Sequence, residues 1–271
     1  MKYSSRILPL VLAVAFVVCR VETTPAEDQQ FELRPIPASA VHHSLQQRPH
    51  IRIKDGTSAN WAGYAVATSL SAPQSGSVSG AQGSWTVPAV RESSSSYTYS
   101  SVWVGIDGYS DSTVEQIGTE QDWSPSGPQY FVWFEMYPQW GYEIVGFPIS
   151  PGDRFAAEVE YMGGSTYRLS ITNVTKKVAF SINQSSRLAS RQSAEWIVEA
   201  PWSGSVLPLA NFGTVSFSNC VATVNGHTGT ISDSTWRNDP LTMVTSSGTV
   251  KASVSALSPD GKSFSSTWHH E

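Results

Sequence analysis

The stretch SAEWIVEA, residues 193–200, sets two carboxylates four residues apart in an otherwise apolar run. Read at a side-chain period of two, Ala194, Trp196 and Val198 face one way while Glu195, Ile197 and Glu199 face the other. The same two-faced reading extends outward from it. In SSVWVGIDG (100–108), Val102, Val104 and Ile106 oppose Trp103, Gly105 and Asp107; in QYFVWFEMYP (129–138), Tyr130, Val132, Phe134 and Met136 oppose Phe131, Trp133, Glu135 and Tyr137. STVEQIGTEQDW (112–123) puts Val114, Gln116, Gly118 and Glu120 on one face. One side of each strand is aliphatic and the other carries acids, amides and rings, which suits a sheet with a buried face and a second face serving as the floor of a cleft.

From about Ser58 onward, short alternating segments are separated by clusters of Ser, Gly, Pro and Asn, with no amphipathic helix of useful length. This is all-β patterning. Phe155–Tyr161, Tyr167–Ile171 and Val178–Ile182, with turns at Gly163-Gly164 and Lys176-Lys177, read as a three-stranded meander. The fold class expected is a two-sheet antiparallel β-sandwich of the jelly-roll or lectin-like kind, with a concave active-site face.

The beginning of the chain reads differently. Lys2 and Arg6 precede the apolar run ILPLVLAVAFVVC (7–19), the pattern of a secretory signal peptide and too short to span a bilayer comfortably. The expected organisation is a signal peptide over 1–26, a basic propeptide over 27–56 and a catalytic domain over 57–271. Secretion follows, with no membrane association of the mature form. Residues 1–54 hold seven Lys/Arg against four Asp/Glu, and the remainder ten against eighteen, so a leader of net +3 precedes a body of net −8. Opposite charges favour docking of the leader on the body at neutral pH, and acid weakens the attraction. No nucleic-acid partner is expected, and a monomer is the default.

Residue types exclude several chemistries. The body has one cysteine, Cys220, so no internal disulfide forms there and a buried small hydrophobe is the reading for it. His227 is the one histidine between His50 and the terminal pair, no HExxH or CxxC occurs, and neither a metal nor a cofactor is expected. GxSxG is absent as well. Glu195 and Glu199 lie about 13 Å apart along one strand, too far for the paired carboxyls of a glycosidase. Glu135 with Glu199 across strands keeps a jelly-roll glycosidase open at this point, and Trp103, Trp133 and Trp140 keep a glycan-binding lectin-like sandwich open.

Six segments in order, SANWAGYAV (58–66), SWTVPAV (84–90), SVWVGIDG (101–108), VEQIG (114–118), WFEMYP (133–138) and AEWIVE (194–199), resemble the glutamic peptidases, or eqolisins. The resemblance covers most of the body. It implies a two-sheet β-sandwich endopeptidase active in acid on polypeptide substrates, made with a signal peptide and an inhibitory propeptide. It further implies that Gln116 and Glu199 are catalytic, and that Trp61, Trp103, Asp107, Glu135 and Tyr137 line or support the substrate cleft. The chemistry fits those types: a carboxylate takes a proton from attacking water and returns it to the leaving amine, while an amide NH₂ donates to the oxyanion. QWGYEIVG (139–146) and APWSGSVLP (200–208) are expected to be loops over the cleft that set specificity.

Overall fold

A computed structural model of the chain describes residues 27–28, 30–36 and 46–271. The signal peptide expected over 1–26 lies outside the described residues. Every named element is a strand: β1 (Glu27–Asp28), β2 (Glu32–Pro35), β3 (Arg52–Lys54), β4 (Thr57–Ser58), β5 (Trp61–Ala67), β6 (Val78–Thr86), β7 (Ser101–Ile106), β8 (Val114–Ser124), β9 (Gly127–Tyr137) and β10 (Tyr142–Val145). There follow β11 (Arg154–Gly163), β12 (Thr166–Asn173), β13 (Val178–Ser185), β14 (Ser193–Glu199), β15 (Thr214–Val224), β16 (His227–Thr230), β17 (Arg237–Val244), β18 (Val250–Val254) and β19 (Phe264–Trp268).

The strands form two layers. One sheet runs β2–β10–β9–β8–β7–β14–β5–β17 and is antiparallel throughout. The other runs β13–β12–β11–β6–β15–β19–β18–β17, so β17 closes one side of both. Residues with the aliphatic phase fill the space between them: Val102, Val104 and Ile106 of β7, Phe134 of β9 and Trp196 of β14 pack in one cluster with Trp85 of β6, Phe155 of β11 and Phe217 of β15. Cys220 is buried in this core, and burial pushes its thiol pKa up. The expected meander is β11–β12–β13, with Lys177 in the left-handed region at φ 58° in its second turn.

A second apolar cluster lies on the outward face of the first sheet. It holds Trp61, Trp103, Phe131, Trp133 and Ile197, all with the phase opposite to the aliphatic core. This face carries the site.

One expectation is corrected. Part of QWGYEIVG is strand β10, paired with β9 on one side and with β2 on the other. Tyr142 stacks on Phe134 and Ile144 is buried in the main core, so alternation persists and burial selects a strand over a loop. Three pieces of the basic leader are also built into the sheets: β1 pairs in parallel with β13, β2 extends the first sheet through β10, and β3 pairs with β4.

Candidate active site

Register aligns the acids and amide into rows. Gln116 of β8 stands opposite Gly105 of β7 and Glu135 of β9, and Gly105 in turn stands opposite Glu195 of β14. Four residues along β7, Ser101 lies between Glu120 of β8 and Glu199 of β14. Trp103 fills the space between the rows. Its indole needs glycine beneath and beside it: a Cβ at Gly118 would meet Trp103 Cβ at 2.6 Å and the Val102 carbonyl, and one at Gly105 would meet the Trp103 ring at 3.0 Å. The glycines of VGIDG and QIG therefore let a tryptophan lie across the sheet.

Glu199 is fully buried and takes three N–H donors. Trp103 Nε1 donates to Oε2 at 3.0 Å; Asn60 Nδ2 and the backbone N–H of Arg48 donate to Oε1 at 3.2 and 2.8 Å. Burial nevertheless raises its pKa well above the ordinary carboxylate range. Gln116 Nε2 donates to Glu135 Oε2 at 3.0 Å, while Gln116 Oε1 is buried without a protein partner. Glu135 also accepts the Gln47 backbone N–H at 3.1 Å. Its pKa is raised by burial first and by the Glu199 charge second.

Residues 46–50 lie in the cleft across these groups. Gln47 Nε2 donates to Glu120 at 3.2 Å, and Ser101 Oγ donates to the same carboxylate. The Arg48 carbonyl accepts from Trp61 Nε1 at 2.9 Å and from Asn60 Nδ2 at 3.2 Å. Arg48 also sits over the rings of Tyr137 and Trp202, and His50 stacks on Trp61 and Tyr109. Residues 46–50, which precede β3, thus cover these groups.

The structure brings Gln116, Glu135, Glu199, Trp61, Trp103 and Tyr137 to this cleft. Asp107 has a supporting place. It is fully buried at φ 72°, and its carboxylate accepts the backbone N–H groups of Arg191 and Gln192, both at 2.6 Å, thereby fixing the entry to β14. Glu195 is buried in the row of Gln116, and burial raises its pKa well above normal. Sequence reading did not single out Glu120, Ser101, Asn60 or Trp202. Glu120 shares the phase of Gln116 and Asn60 adjoins Trp61, which were available signals; Trp202 lies in APWSGSVLP, the stretch expected over the cleft, but nothing in the sequence picks it out of that loop.

The cleft of this two-layer β fold joins a buried glutamate, a glutamine and a stretch of the chain's own residues, and the family to which the chain is matched is that of peptidases of the glutamic type. The chain belongs to the peptidase A4 family, whose model matches residues 59–265. It is 34% identical over 197 residues to aspergillopepsin-2 of Aspergillus niger, covering 66% of this chain and 69% of that protein. It is 32% identical over 142 residues to scytalidopepsin B of Scytalidium lignicola, covering 48% and 54%. Among solved structures, aspergilloglutamic peptidase from Aspergillus niger aligns with a TM-score of 0.55 at 30% identity, covering 64% of this chain and 99% of that one. A scytalido-glutamic peptidase bound to a transition state analog inhibitor aligns at 0.65 with 23% identity, covering 78% and 98%, a likeness of fold. The chain is a glutamic-type endopeptidase, a hydrolase, and the lectin and glycosidase readings fall away.

Proposed function

We propose that this protein is a secreted endopeptidase that works in acid, with Glu199 as general base and then general acid and Gln116 as stabiliser of the oxyanion. The carrying observation is the pair of donors that the cleft itself brings to Glu199, the N–H groups of Trp103 Nε1 and Asn60 Nδ2, to which the leader adds the Arg48 backbone amide. Donors of this kind favour the anion, and Glu199 has more of them than Glu135, which also feels the Glu199 charge. The burial that raises the Glu199 pKa includes cover by the leader; once that segment leaves, water reaches the carboxylate, and Glu199, with more donors than Glu135, is the acid that ionises first. It takes a proton from water as the water oxygen attacks the scissile carbonyl carbon. When the C–N bond breaks, Glu199 returns that proton to the departing amine. One Gln116 N–H is held by Glu135, which leaves the second to donate to the oxyanion, while unpartnered Oε1 is free to orient the water.

The leader supports an inhibited precursor. Consecutive backbone N–H groups of Gln47 and Arg48 cap Glu135 and Glu199, so neither carboxylate is open to water while the segment stays. The apolar run 7–19 supports export, and a monomer is the default. The test is digestion of acid-denatured haemoglobin by Glu199→Gln and Gln116→Ala proteins. Both should lose activity, Glu199→Gln completely and Gln116→Ala by roughly 10²–10³-fold, the scale of a lost oxyanion donor. Near-normal digestion by Glu199→Gln, with its thermal melt unchanged, would assign the chemistry to another acid.

A further inference from the structure

The loop after Glu199 holds a ring that the catalytic pair does not use. Trp202 forms an antiparallel bridge with Gln46: Gln46 N–H donates to the Trp202 carbonyl at 3.0 Å, and Trp202 N–H donates back at 2.9 Å. A second bridge, to Val206, folds the loop on itself, and Leu207 N–H closes it on the Pro201 carbonyl at 2.9 Å. The loop thus offers an ordered strand edge. Two residues further along the bound segment, the Arg48 guanidinium carbon stands 4.5 Å from the Trp202 ring centroid and 6.0 Å from that of Tyr137. Arg48 Nε is buried without a hydrogen-bond partner, so among the described residues rings rather than an acceptor meet this part of the cation.

The backbone pairing at Trp202 reads no side chain, and any extended peptide is able to make it. The ring pair does discriminate, because a guanidinium or ammonium over an indole face is held by the ring quadrupole. This choice of partner matters in acid. A carboxylate that recognises a cation loses its charge as pH falls through the carboxylate range, whereas attraction to a ring face needs no charge on the ring, and Arg and Lys side chains of a substrate remain charged.

We propose that Trp202 and Tyr137 form a subsite for a cationic side chain, so that peptides presenting Arg or Lys there are the preferred substrates. The proposal rests on the peptidase reading above. Two measurements separate its failure from the failure of that reading. In the first, acid-activated protein is given peptide pairs that differ only in Arg against citrulline, its neutral isostere. Wild type should favour Arg by roughly 2–30-fold in kcat/KM, the range of one cation–π contact. Trp202→Ala and Trp202→Leu should each bring the Arg-to-citrulline ratio near one. Equal use of both peptides by wild type, or a preference surviving in both variants, would overturn the subsite. Cleavage of no peptide at all would overturn the peptidase reading and the substrate preference with it.

The second measurement needs no turnover: amide hydrogen exchange of the full-length chain at neutral pH. Arg48→Gln and Trp202→Leu should each speed exchange at the Gln46 and Arg48 amides, and the double variant should go little beyond either single, because one contact is lost once. Arg48→Lys should keep the protection. Unchanged exchange in both singles, or full additivity in the double, would overturn the ring–cation contact.

Discussion

The backbone N–H of Arg48 donates to Oε1 of Glu199 at 2.8 Å, joining the basic leader to the acid that ends AEWIVE. The adjoining Gln47 N–H serves Glu135 in the same way. Two successive amides of one segment thereby occupy both carboxylates. A bound peptide presented with N–H groups toward Glu199 does not present a carbonyl carbon to water activated there, so contact without cleavage at this bond follows from the geometry.

Removing one of these donors should shorten latency. Arg48→Pro deletes the N–H that serves Glu199 and leaves a buried acceptor short of a partner. The full-length variant is expected to cleave a quenched-fluorescence peptide at a pH where the wild-type precursor is silent. Identical lag times for the two chains would show that the leader is held by other contacts.

Salt should act on the leader less than acid does. Among the described residues Arg34–Glu143, at 3.7 Å, is the ion pair that joins leader to body, whereas Arg52 pairs with Asp55 beside it in sequence. Hydrogen bonds to buried carboxylates and ring contacts are screened weakly. Raising salt from 0.1 to 1 M at neutral pH is therefore expected to leave latency nearly unchanged, while lowering pH releases it. The readout is N-terminal sequencing after timed incubation, with a new start expected near residues 50–57. Release at neutral pH by salt alone would return the grip to the net charge of leader and body.

Stability should be greatest in acid. Glu115, Glu195, Glu199 and Glu135 have folded-state pKa values raised well above normal, chiefly by burial. In the unfolded chain carboxyls titrate near pH 4. Between that value and the raised folded values, the folded state binds more protons than the unfolded one, and stability falls as pH increases. The stabilising contribution is complete below about pH 4. Urea midpoints should drop from pH 3.5 to pH 7, and Glu195→Gln, which removes one such group away from the Glu199 row, should flatten the drop. A midpoint that rises with pH would contradict the assignment.

Gly118 is expected to tolerate no side chain. Its Cβ would meet Trp103 Cβ at 2.6 Å and the backbone oxygen of Val102, neither of them the movable end of a flexible group. Gly118→Ala should destabilise by about 1–3 kcal/mol, the usual cost of overpacking. It should also lower activity by shifting the indole that donates to Glu199. Thermal melting and haemoglobin digestion check the two effects separately, and a stable, fully active Gly118→Ala protein would mean that Trp103 relocates without consequence.

The sequence determined the sheet faces because a strand's period is strictly two. Trp103 and Glu135 are separated from Val104 and Phe134 by alternation alone, and the core built from the second set matches that separation. Turn chemistry fixed the β11–β12–β13 meander in the same local way. The extent of the motif string, from SANW to AEWIVE, marked the family. Tertiary structure decided what alternation does not encode. Tyr142–Val145 is a strand because β9 and β2 flank it, and its own length is ambiguous between strand and loop. Ser101 brings Glu120 and Glu199 into one row through register between strands distant in sequence. Trp202 and Arg48, 154 positions apart, meet because a post-strand loop and an extended leader share one cleft. Periodicity reports which way a side chain points from its own strand; the partner it finds depends on pairing across the sheet and on chain brought in from elsewhere, and neither leaves a local trace.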